Sequence, residues 1–133
     1  MFTIDVMSRI PVYEQIIKQV EDQILIQLLK AGDKMPSVRS LSVNLGVNPN
    51  TIQKAYSELE RRHITMTVPG KGSFISEYAA EVISKKSRGK VEKLQEIVRE
   101  LLLAGITREE IVEAVDEVYE EKKNSQQSYN GTE

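Results

Sequence analysis

The chain of 133 residues contains no cysteine and no tryptophan, one histidine and 5 % aromatic residues. Without cysteine there is no disulfide, no thiolate nucleophile and no cysteine-bound metal. A single histidine excludes a multi-histidine metal site. Scarce aromatics leave the core to Leu, Ile and Val and argue against a large aromatic-lined cofactor pocket, so no cofactor is expected. No apolar run approaches the roughly 20 residues that span a bilayer. The N-terminus, MFTIDVMSR, lacks the basic-then-apolar order of a signal peptide. A cytoplasmic, non-membrane protein is the expectation, and the absence of cysteine is compatible with it. The length excludes a TIM barrel and a two-domain dinucleotide enzyme, and fits one domain or a small domain with an appendage.

What is present is unevenly charged. The net charge is −2, yet residues 1–76 hold nine Lys/Arg against seven Asp/Glu, and residues 77–133 hold nine against thirteen. Between Lys30 and Ser76 the balance is seven against three. A net acidic chain with a local basic face can still bind an anion, and this stretch is where to look for one.

Hydrophobic periodicity then divides the chain. Tyr13, Ile16, Ile17, Val20, Ile24, Leu25 and Leu28 recur at three and four residues after Pro11 and predict a helix over about 12–29, with Gly32 as its left-handed C-terminal residue. Ser37 is a good cap for a second helix whose apolar residues are Val38, Leu41 and Leu45 and which Gly46 stops. Asn48 caps a third, Pro49 takes its first position, and Ile52, Ala55, Tyr56 and Leu59 face inward. Two short helices joined at Gly46-Val47 resemble a helix-turn-helix. The period then falls to two: Ile64, Met66 and Val68 alternate with threonines, Pro69-Gly70-Lys71-Gly72 forms a turn, and Ser73–Ser76 returns. A hairpin directly after the third helix makes a winged helix-turn-helix.

Residues 77–133 differ. Ser84 to Lys90 is polar and basic and reads as a hinge ending near Gly89. An amphipathic helix follows with Val91, Leu94, Ile97, Val98, Leu101 and Leu102, ended by Gly105. Thr107-Arg108-Glu109-Glu110 is a capping box opening a last helix with Ile111, Val112, Val115, Val118 and Tyr119. From Asn124 the polar run NSQQSYNGTE predicts a flexible tail. The division expected is therefore a winged helix-turn-helix domain over 1–76, a helical dimerisation segment over 77–123 and a tail over 124–133, mainly α with one small β-hairpin.

The stretches PVYEQI, AGDKMPSVRSLSVNLGVNPNTIQKAYSELERR and GKGSFI, in this order and spacing, closely resemble the DNA-binding domain of GntR-family bacterial transcription regulators. The helical segment of residues 77–133 and the NPNT stretch resemble the YtrA-like subgroup. That resemblance implies a reduced C-terminal region used for dimerisation, and a repressor of the kind commonly encoded with ABC transporter genes. The chain departs from the family pattern at Pro49 and Gln53, where many members carry Arg, and those two Arg roles are not carried over. Many members have Gly where His63 stands. His63 reads as a helix terminator in left-handed conformation, with a titrating switch as the alternative.

The chemistry of the third helix agrees with that resemblance. Its start presents Asn48, Asn50, Thr51, Gln53 and Lys54 opposite the apolar face. Asn and Gln donate and accept together, as adenine readout in a major groove requires, and Lys54 is long enough for a phosphate or a guanine edge. Asn48 and Thr51 acting only as caps is the alternative. The resemblance places Arg39 of the second helix against DNA. Ser37 has a hydroxyl for phosphate as well as for capping. Gly70 and Gly72 permit close backbone approach, and Lys71 adds a charge to the wing. The partner expected is double-stranded DNA, bound by a homodimer on a palindrome, because Val91, Leu94, Ile97, Val98, Leu101, Leu102, Ile111, Val115, Val118 and Tyr119 are too many apolar residues to leave in water. Nothing in the sequence identifies a small-molecule effector.

Two other classes compete. A winged helix serving only as a protein-interaction module should expose apolar residues on its third helix, and this one exposes polar residues. An enzyme needs convergent polar groups, and none is visible. The carboxylates of the last helix, Glu109 to Glu121, read as a solvated acidic face without calcium-loop spacing.

Overall fold

The computed structural model describes residues 2–130, with side chains as far as 124. The elements run α1 (Val12–Leu25), α2 (Val38–Leu45), α3 (Pro49–Arg61), β1 (Thr65–Val68), β2 (Gly72–Ile75), α4 (Ala79–Arg88), α5 (Lys90–Leu103) and α6 (Arg108–Asn130). They form two compact units, Met1–Arg88 and Gly89–Glu133. Mainly helical with one two-stranded antiparallel hairpin, this is the fold class that the sequence predicts.

The first unit holds every buried apolar residue described. Ile16, Ile17, Val20 and Ile24 of α1 meet Leu41 of α2, Ile52, Ala55, Tyr56 and Leu59 of α3, Ile64 and Ile75 of the hairpin, and Ala79 and Ile83 of α4. Each fully buried Ile or Leu contributes roughly 1.5–3 kcal/mol by leaving water. Phe2 joins the same core. Its segment is held along α1 by two glutamines one helical turn apart. Gln19 accepts from the Thr3 amide (2.9 Å) and donates to the Thr3 carbonyl. Gln15 accepts from the Asp5 amide (2.9 Å) and donates to the Asp5 (3.1 Å) and Ile10 (2.8 Å) carbonyls.

The caps fall as the sequence predicts. Ser37 Oγ accepts from the Ser40 amide (3.0 Å) at the start of α2. Gly46, at φ 64°, closes α2 in the left-handed region. Asn48 Oδ1 accepts from the Asn50 amide (2.8 Å), and Pro49 occupies the first turn of α3. Thr107 Oγ1 accepts from the Glu110 amide (3.2 Å) at the start of α6. His63 is left-handed, at φ 62°, where the chain leaves α3, as the helix-terminator reading expects. A side chain in that conformation costs about 1–2 kcal/mol, against up to about 1 kcal/mol for the extra freedom glycine loses on folding. His63→Gly is therefore expected to raise the thermal midpoint by a few degrees in a circular-dichroism melt. An unchanged or lower midpoint would show that the imidazole contributes more than its backbone strain costs.

Several boundaries differ from the sequence reading. Helix α1 stops at Leu25, before the predicted residue 29, because Gln27 takes the left-handed position (φ 64°). Leu25 and Leu28 are consequently exposed. Gly32, at φ 87°, belongs instead to the turn closed by the Asp33 amide on the Lys30 carbonyl (2.9 Å). The hairpin forms where the alternation of Ile64, Met66 and Val68 with threonines predicts a strand, but burial does not follow that period: Ile64 and Thr65 are both buried, and Met66 is 52 % exposed. Thr65 pairs with Ile75 and Val68 with Gly72.

The predicted hinge at Ser84–Gly89 is also displaced, since Ser84 to Arg88 lie within α4. Ser76 caps this helix, accepting from the Tyr78 amide (3.2 Å) and donating to the His63 carbonyl (2.8 Å). Ala79 and Ile83 bury against the core. Lys85, Lys86 and Arg88, which read as a solvated hinge, fill its last turn, where cations complement the helix dipole. The boundary between compact units thus lies after Arg88 rather than after Ser76.

In the second unit α5 buries no residue. Gly105, at φ 84°, follows it, as predicted. Helix α6 continues to Asn130, so residues 124–130 of the predicted tail are helical; residues 131–133 lie outside the described residues. No proline or glycine interrupts Arg108–Asn130, and extending a helix is far cheaper than nucleating one.

Candidate nucleic-acid interface

Helix α3 is split lengthwise by its chemistry. Ile52, Ala55, Tyr56 and Leu59 are buried, whereas Asn48, Asn50 and Gln53 are exposed and Thr51 is half-buried. The buried row fixes the helix and so aims the polar row outward. Tyr56 adds a polar anchor: its hydroxyl donates to the Pro36 carbonyl (2.6 Å), tying α3 to the residue before the α2 cap. Burial pushes the Tyr56 phenol up to about 12, which keeps it a hydrogen-bond donor throughout the neutral range.

The C-terminal end of α3 is locked by charge. Arg62 donates from Nη1 to Glu21 Oε1 of α1 (3.0 Å) and from Nε to Glu58 Oε1 (2.9 Å), and Lys86 Nζ of α4 lies 3.9 Å from the same Glu21 oxygen. Glu21 and Arg62 are both largely shielded from water, so removing either partner would leave the other charge poorly solvated and unpaired. Arg61 also donates to Glu58. The hydrogen bonds of Arg61 and Arg62 hold the Glu58 carboxyl down to about 2. Both arginines are thereby engaged with the protein itself.

Of the residues singled out in the sequence, Ser37, Gln53, Lys71 and Gly72 line one cleft of about 370 Å³ between α3 and the hairpin. Ser37 and Arg39 border a second, shallower depression on α2. Asn48 is spent in part on capping, and Gln53 Nε2 donates to Ser57 Oγ (3.1 Å), which steadies the amide. The hairpin turn carries the Lys71 amide to the Val68 carbonyl (3.0 Å). With Pro69 at its second position and Gly70 at φ 76° in its third, it meets the demands of a type II turn. Gly72, at φ 117°, has a conformation that side chains rarely adopt.

Lys54 is placed differently. Its ammonium lies 3.9 Å from the centre of the Tyr13 ring on α1. Glu14 accepts from the Tyr13 hydroxyl (3.1 Å) and raises its pKa. The contact draws the ammonium towards α1 in the free protein, and at about 0.5–1 kcal/mol for an exposed pair a phosphate could replace it. Sequence reasoning missed Lys34, which lines the cleft with Lys71. It sits before the α2 cap in a stretch without periodicity, and only pairing with β2 brings it to the wing.

The ten apolar residues expected at a dimer interface all lie in the second unit. Leu94, Ile97, Val98 and Leu101 of α5 and Ile111, Val115 and Val118 of α6 line one groove. Val91, Leu102 and Tyr119 stand outside it and are exposed, Leu102 by 68 %. Among the described residues there is no cluster of potential metal ligands and no helix long and apolar enough to cross a membrane.

Comparison with known proteins accords with this geometry. Residues 12–75 match the family described as "Bacterial regulatory proteins, gntR family". The chain is 38 % identical over 132 residues to the HTH-type transcriptional repressor YtrA of Bacillus subtilis, covering 96 % of this chain and 99 % of that protein. It resembles the structure of a GntR family transcriptional regulator from Listeria monocytogenes, with 34 % identity, a TM-score of 0.69, and coverage of 86 % of this chain and 98 % of that one. The DNA-binding domain of AraR in complex with operator ORX1 matches 56 % of this chain and 93 % of its own, with 25 % identity and a TM-score of 0.50. A helix-turn-helix with a glycine-bearing wing and near-complete coverage of a YtrA repressor together place the chain in the GntR family of DNA-binding transcription regulators, in its YtrA-like subgroup.

Proposed function

We propose that this chain is a cytoplasmic repressor that binds a palindromic operator as a homodimer, one winged head reading each half-site. The observation that carries the reading is the division of α3. Its inward row is apolar but for the bonded Tyr56 hydroxyl, and among the described residues no exposed large hydrophobic side chain falls on that helix. A protein-docking helix would have the opposite polarity. Asn50 and Gln53 supply paired donors and acceptors for base edges; Ser37, Arg39, Lys71 and the α3 N-terminus face phosphates. The division of labour is a DNA-binding unit and a helical dimerisation segment, whose open apolar groove is the surface a second copy covers. Repression follows from occupancy, since a bound dimer excludes polymerase from the promoter. The subgroup resemblance points to transporter genes as targets.

The test is fluorescence anisotropy on the duplex upstream of the protein's own gene, against a scrambled duplex, at several salt concentrations. If each head neutralises roughly three or four phosphates, log K is expected to fall with log salt at a slope of about −5 to −7. Tight, sequence-dependent and steeply salt-sensitive binding supports the reading. No binding to either duplex at low salt would overturn it.

A further inference from the structure

The geometry points to Lys34 as a phosphate-binding residue of the wing, acting with Lys71 from a segment outside the helix-turn-helix and outside the hairpin. This rests on the DNA-binding reading above and adds a contact to it. The chain from Gly32 to Met35 is tied to β2 through an isolated antiparallel bridge. The Gly32 amide donates to the Ile75 carbonyl, the Ile75 amide to the Asp33 carbonyl and the Met35 amide to the Ser73 carbonyl, each at 2.8 Å. Lys34 itself pairs opposite Phe74. Its backbone is therefore as fixed as the wing's own.

The side chain is directed by a glycine. A Cβ placed on Gly72 would lie 3.1 Å from Lys34 Cε and 3.9 Å from Nζ. The lysine stem crosses the wing backbone where no side chain obstructs it, laying its methylenes on the protein and leaving the ammonium at the cleft shared with Lys71 and Gln53. Lys34 has no ion pair among the described residues. Glu60 also lines the cleft and pairs with neither lysine. Arg61 and Arg62 are neutralised by carboxylates, and Lys54 is held over Tyr13. An unpaired cation on a rigid stem beside the base-reading helix suits one ligand class, the sugar–phosphate backbone flanking the bases that Gln53 faces. Such a contact positions the head without reading sequence.

Lys34→Met tests this, because it keeps a stem of similar length over Gly72 and removes only the charge. The variant, Lys34→Arg and the wild type are titrated as full chains with the upstream and scrambled duplexes over a salt series. Expected for Lys34→Met is a loss of roughly tenfold in affinity on both duplexes, with a salt slope shallower by about 1 per lysine lost, hence about 2 for a dimer. Lys34→Arg should restore both. A purely structural stem would leave Lys34→Met at wild-type affinity and slope, and that result overturns the inference while the DNA-binding reading stands. If the wild type binds neither duplex, both fall together.

Discussion

In the proposed homodimer, replacing Leu101 with aspartate is expected to leave a monomer and to weaken operator binding by two orders of magnitude or more. Leu101 lines the open groove with Ile97 of its own helix and Val115 and Val118 of α6. A carboxylate there either remains ionised among apolar groups or must take up a proton, and both outcomes cost several kcal/mol at a closed interface. The penalty counts twice in a symmetric dimer. DNA affinity follows because a dimer binds its second half-site at a high effective concentration, a gain of about 10²–10⁴ that a monomer forfeits. Light scattering at micromolar concentration and anisotropy on the same samples read the two effects separately. The volume-conserving Leu101→Met should leave both near wild type. A dimeric Leu101→Asp with unaltered affinity would assign the interface to another surface.

Leu59→Ala is expected to destabilise the first unit strongly while leaving the DNA face intact. Leu59 is fully buried on the inward row of α3 and belongs to the core shared with α1, Ile64 and β2. Truncation removes the transfer free energy of the lost carbons and leaves a cavity, together about 3 kcal/mol, within the usual range of 2–5. For a unit of this size that lowers the thermal midpoint by roughly 12–24 °C. Thermal melts measure the loss directly. Measured well below the new midpoint, anisotropy should show operator affinity within a few-fold of wild type, because Asn50 and Gln53 lie on the opposite side of the helix. A midpoint shift of only a degree or two would mean that the surrounding side chains collapse into the space.

Much of the reading head was legible because its signals are local. Ser37, Gly46, Asn48 and Pro49 mark the ends of α2 and α3 by capping chemistry that needs no knowledge of the fold. Periodicity then gave Ile52, Ala55, Tyr56 and Leu59 as the buried row. What escaped depends on distant partners. Helix α4 has only Ala79 and Ile83 buried, too short a pattern to outweigh the basic run after it. In β1 the alternating hydropathy marks a strand but not its burial, since Thr65 is buried beside Ile64 and Met66 is exposed where the hairpin leaves the helices. Lys54 sits on the polar side of α3 as expected, and an aromatic ring on α1 then captures it. Lys34 joins the wing through bonds made by backbone atoms, on which its sequence context is silent.

The two glutamines that hold the N-terminal segment meet it almost entirely through main-chain atoms. Gln15 and Gln19 each present an amide to an amide, one turn of helix matching one two-residue step of extended chain. The result is a lopsided mutational ledger. Thr3 is exchangeable for many other residues without losing these bonds, and Asp5 gives up only the bond its carboxylate accepts from the Met7 amide (3.0 Å), since any non-proline residue offers the same N–H and C=O. Gln15 and Gln19 are not, because no other side chain combines that reach with a donor and an acceptor on one planar group. Tolerance of change in the segment and intolerance of it at Gln15 and Gln19 are thus two faces of one contact.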